Sequence, residues 1–192
     1  MSRSNIVSED GFINLFNGLD QEGWRMAGPG RFRVIEQERA LVSEGGMGLL
    51  WYTKKMYGEF ILKIDWKVKR KNDNSGVFIR FSDPDNDPWI AVKTGYEIQI
   101  DDLALPEGKE QHKTGAIYDI VPPSILNSKH VGEWNTFEIH ALGQNYTVIL
   151  NEITVIPKFS GTRLKRGYIG IQNHDLESRV LFRNIMIKDL SE

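Results

Sequence analysis

The chain of 192 residues contains no cysteine, which excludes a disulfide framework, a thiolate nucleophile and a cysteine-ligated metal centre. It also has no apolar run near the ~18 residues that a membrane-spanning helix needs. The opening Met1-Ser2-Arg3-Ser4-Asn5 lacks the apolar core of a secretory signal, so a cytoplasmic location is expected. Nor is there a basic excess: 24 Lys and Arg face 26 Asp and Glu, a formal charge of -2, which gives no positive field for nucleic acid or a membrane surface. The one basic run, Lys67-Val68-Lys69-Arg70-Lys71, closes an alternating segment and reads as a solvated strand end. Helical periodicity is missing as well, since no stretch of about 10 to 15 residues repeats its apolar positions at helical spacing.

What is present is alternation, in short segments bounded by Gly, Asn, Asp and Pro. Phe60, Leu62, Ile64, Trp66 and Val68 fall on one strand face, with Ile61, Lys63, Asp65, Lys67 and Lys69 on the other. Gly76, Phe78, Arg80 and Ser82 likewise alternate with Val77, Ile79 and Phe81. Further strands are expected over residues 115–120, 134–142, 146–150, 167–173 and 179–190, with Asn151-Glu152 at a hairpin turn. At 40% hydrophobic the chain can bury one core. The expectation is an all-β, two-sheet antiparallel sandwich or jelly roll, with residues 1–10 as an N-terminal extension and 11–192 as a single domain. The sequence fixes no oligomeric state.

Tyr96-Glu97-Ile98-Gln99-Ile100-Asp101 is the segment richest in chemistry: alternation puts Glu97, Gln99 and Asp101 on one face and Tyr96, Ile98 and Ile100 on the other. Acids are disfavoured in strands, and these three side chains all accept hydrogen bonds of the kind sugar hydroxyls donate. The plainer reading is an edge strand with a solvated polar face. Arg80 is either an anion-stabilising group or a structural ion pair. His112 lies in the long irregular loop 103–114 and titrates near neutrality, and the competing reading is a solvated loop histidine. His174 follows Gln172 at a strand end, so the two share a face unless the histidine merely caps that end. Tyr118 alternates with Ala116 and Ile120, and Asn74 precedes Gly76, a glycine suited to close backbone approach. Trp89 and Trp51 are candidates to stack on a pyranose ring, whereas Trp24, Trp66 and Trp134 fit the core. In the loop Asp83-Pro84-Asp85-Asn86-Asp87-Pro88, the prolines and the missing downstream Glu favour a stiffened turn over a calcium site. Two His and two acids lack close ligand spacing, so neither a metal nor another cofactor is expected.

Several of these segments occur in an order that resembles the 3-keto-disaccharide hydrolase domain family. They are Phe12-Ile13-Asn14-Leu15-Phe16-Asn17-Gly18-Leu19-Asp20, Gly23-Trp24, Asn74-Ser75-Gly76-Val77-Phe78-Ile79-Arg80, the Tyr96 to Asp101 segment, Thr114-Gly115-Ala116-Ile117-Tyr118, Glu133-Trp134-Asn135, Leu150-Asn151, Gly167-Tyr168-Ile169-Gly170-Ile171-Gln172-Asn173-His174 and Val180-Leu181-Phe182-Arg183-Asn184-Ile185. One departure is Asn151-Glu152, where the family usually has Asn-Gly. The resemblance implies a concanavalin A-like jelly roll with a sugar-binding concave sheet, a carbohydrate ligand, and a place together for Gln172 and His174. Lectin-like binding modules and laminarinase-like glucanases share that fold, so the fold does not fix the chemistry.

The glucanase alternative is disfavoured by geometry. The Cα atoms of Glu97 and Asp101 should stand ~13 Å apart at ~3.3 Å per residue, and a retaining pair needs carboxyls ~5 to 5.5 Å apart. A 3-keto-glycoside offers another route. The C3 ketone acidifies the C2 proton, a base removes it, the C1 oxygen leaves, and water adds to the enone. The roles implied are Glu97 and Asp101 as acid and base, Arg80 and His174 polarising the keto oxygen or leaving group, and Gln99, Asn74, Tyr118, Gln172, His112 and Trp89 in substrate binding.

Overall fold

The computed structural model describes residues 10–191. Its strands, among the described residues, are β1 (Ile13–Asn14), β2 (Trp24–Ala27), β3 (Arg31–Ile35), β4 (Ala40–Glu44), β5 (Gly48–Tyr52), β6 (Phe60–Val68), β7 (Ser75–Phe81), β8 (Tyr96–Ile100), β9 (Asn135–Leu142), β10 (Asn145–Leu150), β11 (Ile153–Ser160), β12 (Tyr168–Asn173) and β13 (Val180–Asp189). They form two antiparallel sheets. The larger runs β11-β10-β9-β6-β13-β4-β3, with β1 also paired to β13, and the smaller runs β2-β5-β12-β7-β8. The expected all-β sandwich is therefore the fold, while the expected extension at residues 1–10 lies almost wholly outside the described residues.

The core forms where the two sheets face each other, and sequence alternation dictates which side chains enter it. In β6 the predicted face, Phe60, Leu62, Ile64, Trp66 and Val68, is buried, and the Ile61 to Lys67 face is half-exposed. In β8, Tyr96, Ile98 and Ile100 join the same core, which turns Glu97 and Gln99 to the outer face of the smaller sheet. Asn151 and Glu152 both adopt positive φ (50° and 69°) and turn β10 into β11, as expected of that dipeptide.

Three features depart from the sequence reading. Residues 24–52 contain four strands that show little alternation, because β4 and β5 are buried along almost their whole length. Residues 115–120 are not a regular strand: Gly115 and Asp119 sit at positive φ, and the segment makes isolated bridges from Ile117 to Ile98 and to Val121. The third feature is a short helix, α1 (Trp89–Thr94), following the acidic loop. Asp87 Oδ1 accepts the Trp89 N–H at 3.0 Å to start it, and Asp83 Oδ1 accepts the Asp85 N–H at 2.8 Å, so two acids of that loop serve turn geometry. Ala91 of α1 packs with Leu49, Trp51, Phe78 and Phe81 on the outer face of the smaller sheet. Part of that face is thereby closed with apolar side chains, while Glu97, Gln99 and Gln172 keep another part polar.

Candidate active site

Strand register places the outer-face residues in rows. Arg25, Trp51, Gly170, Phe78 and Glu97 follow one another across the five strands. In the next row Ala27, Leu49 and Gln172 lead to Gly76 and Gln99, with Gln172 one residue beyond the Ile171 to Val77 pair. Glycine at 76 is a steric requirement: a Cβ there would fall 2.1 Å from Glu97 Oε1, so the Glu97 carboxyl lies directly over the bare backbone. Glu97 is only 7% exposed, and burial pushes its pKa up to about 8.

The acceptors around Gln99 orient its amide. With its nitrogen turned toward Glu97, it donates to Oε1 at 3.1 Å and to Ser75 O at 3.2 Å, which suits an ionised acid. Asn74 Nδ2 donates to Asp101 Oδ2 at 2.9 Å, and Asp101 Oδ1 accepts the N–H groups of Leu103 (3.0 Å) and Ala104 (2.8 Å). Burial raises the Asp101 pKa, opposed by those backbone bonds and by the nearby His174. Glu97 and Gln99 thus form one hydrogen-bonded pair, and Asn74 and Asp101 a second beside it.

Gln172 and His174 reach the same region from β12 and its end. Gln172 is 5% exposed, and its Oε1 is buried with no hydrogen-bond partner, a free acceptor beside Gly76. His174 Nδ1 lies 2.8 Å from Asp175 Oδ2. Burial of Asp175 is outweighed by bonds from His174, Ser178 and Glu177, which hold its pKa down to about 2. Asp175 sits next to His174 in sequence, yet only the fold reveals it as the partner of that ring.

The free edge of β8 is covered by residues 114–118, through Gln99 N to Ala116 O (3.0 Å) and Tyr118 N to Glu97 O (2.9 Å). Tyr118 therefore stands beside Glu97, and its pKa is raised by burial and then by the Glu97 charge. Its ring stacks on His112 with centroids 4.5 Å apart, and His112 Nε2 is 3.1 Å from Asp119 Oδ1. His112 thus buttresses Tyr118. Trp89 opens α1 and stands 53% exposed.

Arg80 is not at this site, which corrects its expected role. A bulge in β7 pairs Phe81 with Tyr168 and Ile79 with Ile169, leaving Arg80 unpaired at φ 51°. The extra residue reverses the alternation, so Phe81 joins Phe78 outside and Arg80 turns inward. Its guanidinium, fully buried, donates to the carbonyls of Gly58, Ala141 and Gly143 and to the Tyr146 hydroxyl. The cation on the outer face is instead Arg25, whose guanidinium lies 5.9 Å from the Trp51 ring centroid. Among the described residues no group of three or more His, Asp or Glu is gathered as metal ligands.

A family model described as the 3-keto-alpha-glucoside-1,2-lyase-like domain matches residues 11–188. A 3-keto-disaccharide hydrolase of Bacteroides thetaiotaomicron is similar at 28% identity, over 96% of this chain and 80% of its own length. A solved candidate glycosyl hydrolase from Parabacteroides distasonis superposes with a TM-score of 0.81 at 25% identity, covering 98% of this chain and all (100%) of that one. A carbohydrate-binding module of Bacillus subtilis superposes with a TM-score of 0.63 at 15% identity, over 87% and 96% of the two chains, and shares the fold.

Proposed function

Because this chain belongs to the 3-keto-alpha-glucoside-1,2-lyase-like domain family, we propose that it cleaves 3-keto-glycosides, keto-disaccharides among them, by elimination and hydration. The observation that carries this reading is Glu97. It is a buried carboxyl on the polar part of the outer face, with its pKa near 8, a bare glycine beneath it and an unpartnered Gln172 acceptor beside it. A base of that pKa is better matched to a carbon acid than an ordinary carboxylate is.

In the proposed sequence ionised Glu97 takes the proton from C2, and the electron pair of that bond forms an enolate with the C3 ketone. The Tyr118 hydroxyl, kept protonated by its surroundings, donates a hydrogen bond to the enolate oxygen, the task once expected of Arg80. The enolate then collapses to a C1–C2 double bond as the C1 to oxygen bond breaks. His174, held at Nδ1 by Asp175, gives the departing oxygen its proton. Water adds at C1 and gives its proton to His174, while Glu97, after its proton has exchanged with solvent, delivers a solvent-derived proton to C2, so the net reaction is hydrolysis. Gln172 Oε1 accepts from a sugar hydroxyl, and Gln99, donating to Oε1, holds the ionised Glu97 carboxylate in place. No second carboxylate nucleophile is required.

The test is incubation of the purified protein with 3-keto-trehalose, 3-keto-sucrose and their unoxidised parents. The expected result is loss of the keto sugars alone. Tight binding with no turnover would make the protein a sugar-binding module and overturn the reading.

A further inference from the structure

A cavity of about 470 Å³ opens at the end of the smaller sheet where β12 leaves it. Its walls are Gly46 and Met47 from the β4 to β5 turn, Asn72 from the β6 to β7 turn, and residues 175–178. Three links join it to the site already described. Asp175 holds His174, the Ser178 hydroxyl accepts the N–H of Asn74 at 2.9 Å, and Met47 precedes Gly48, which pairs with Asn173 beside Gln172. The cavity and the Glu97 face are therefore neighbours across His174.

Asp175 and Ser178, two polar groups of its rim, are spent on the rim itself, while Asn72 and Glu177 are exposed. Asp175 Oδ1 accepts the N–H groups of Glu177 and Ser178 at 2.7 and 2.6 Å, and Oδ2 accepts the Ser178 hydroxyl at 2.8 Å. The lining that remains accessible is mostly carbon, led by Met47 and by Leu176, which is 69% exposed at the loop tip. A large apolar side chain held out by a hydrogen-bonded loop beside an open depression of this volume, within the ~300 to 1,000 Å³ range of small-molecule sites, suits a ring-shaped apolar ligand. A second sugar would find its side-chain hydrogen-bonding partners there in Asn72 and Glu177 alone, at the edge of an otherwise apolar lining.

We propose that this cavity is the leaving-group subsite, and that it favours an aromatic or alkyl aglycone over a second sugar. The inference rests on the keto-glycoside reading for its chemistry, and on the cavity alone for its binding. With the keto-sugar over Glu97, the C1 oxygen faces His174 and the aglycone lies against Met47 and Leu176.

Two measurements test it. The first follows the Met47 methyl resonance, in protein labelled with [methyl-13C]methionine and assigned through Met47→Leu, as unoxidised phenyl glucoside is added; no turnover is needed. A saturable shift, abolished by Leu176→Asp, is expected. The second compares kcat/KM for p-nitrophenyl 3-keto-glucoside with that for 3-keto-trehalose, in the wild type and in Leu176→Asp. The ratio of aryl to disaccharide efficiency should fall about 10-fold in the variant. A Met47 shift with no cleavage of either substrate would keep the subsite and overturn the enzymatic reading. Turnover of both substrates with no Met47 shift and an unchanged ratio would overturn the subsite and keep the enzyme.

Discussion

Glu97 carries the largest electrostatic burden of any residue in the proposed mechanism, and its environment makes two separable predictions. Its pKa in the folded chain is about 8 against an ordinary 4.5, so the native state keeps a proton that the unfolded chain releases between those values. The contribution of Glu97 to stability is therefore fully present below about pH 4.5 and is lost as the pH rises through 8, with a ceiling of about 5 kcal/mol at ~1.4 kcal/mol per unit. Denaturant titrations across that range should show the slope in the wild type and its loss in Glu97→Gln; an identical slope in both would place the buried charge elsewhere. As the base, ionised Glu97 also makes log kcat/KM climb toward a plateau near pH 8. Glu97→Gln should lower turnover by roughly 10²-fold or more with substrate binding largely kept. Wild-type rates in a folded Glu97→Gln protein would remove the proton-transfer role. Alternation alone was enough to bring out Glu97, Gln99 and Asp101 from the sequence. The Asp175 partner of His174 and the free Gln172 acceptor were not legible, because both depend on what the fold brings near and what it leaves unpaired.

At the scale of elements, β7 shows why one expected site residue was misplaced. Period-two reasoning assumes an unbroken strand, and a single bulged residue at 80 inverts every later assignment. Arg80 then becomes a clasp joining backbone carbonyls of Gly58, Ala141 and Gly143. Replacing it with methionine leaves those buried acceptors without a donor and should destabilise the protein by about 3 kcal/mol or more, while kcat of the folded fraction stays near wild type. A specific loss of kcat at unchanged melting temperature would return Arg80 to catalysis. The β10 to β11 hairpin makes the opposite case: its position was readable from Asn151-Glu152, and its strain follows from Glu152 at φ 69°. Glu152→Gly should stabilise by about 1 kcal/mol, measured as a raised denaturation midpoint with an unchanged m-value. An unchanged or lowered midpoint would show that the turn is not strained.

Across the whole molecule, the division of labour between faces follows from where apolar residues fall. One side of each strand in the smaller sheet joins the common core, and the other side is split between a patch sealed by α1 and the polar rows around Gly76. The sandwich was legible because long alternating strands such as β6 and β8 reveal which way they face. Strands β4 and β5 were not, since burial on both faces erases alternation, and α1 was not, since six residues are too few to show a helical period.

The central claim is cleavage through loss of the C2 proton and its replacement from solvent, and the most direct measurement of it is mass spectrometry of the 3-keto-glucose released from 3-keto-trehalose in D₂O. Elimination and hydration predict one deuterium at C2 of each product molecule, above the exchange seen without protein, with trehalose itself left intact and both cleavage and labelling lost in Glu97→Gln. Cleavage of the keto sugar with no deuterium at C2, or equal cleavage of trehalose, would contradict the account.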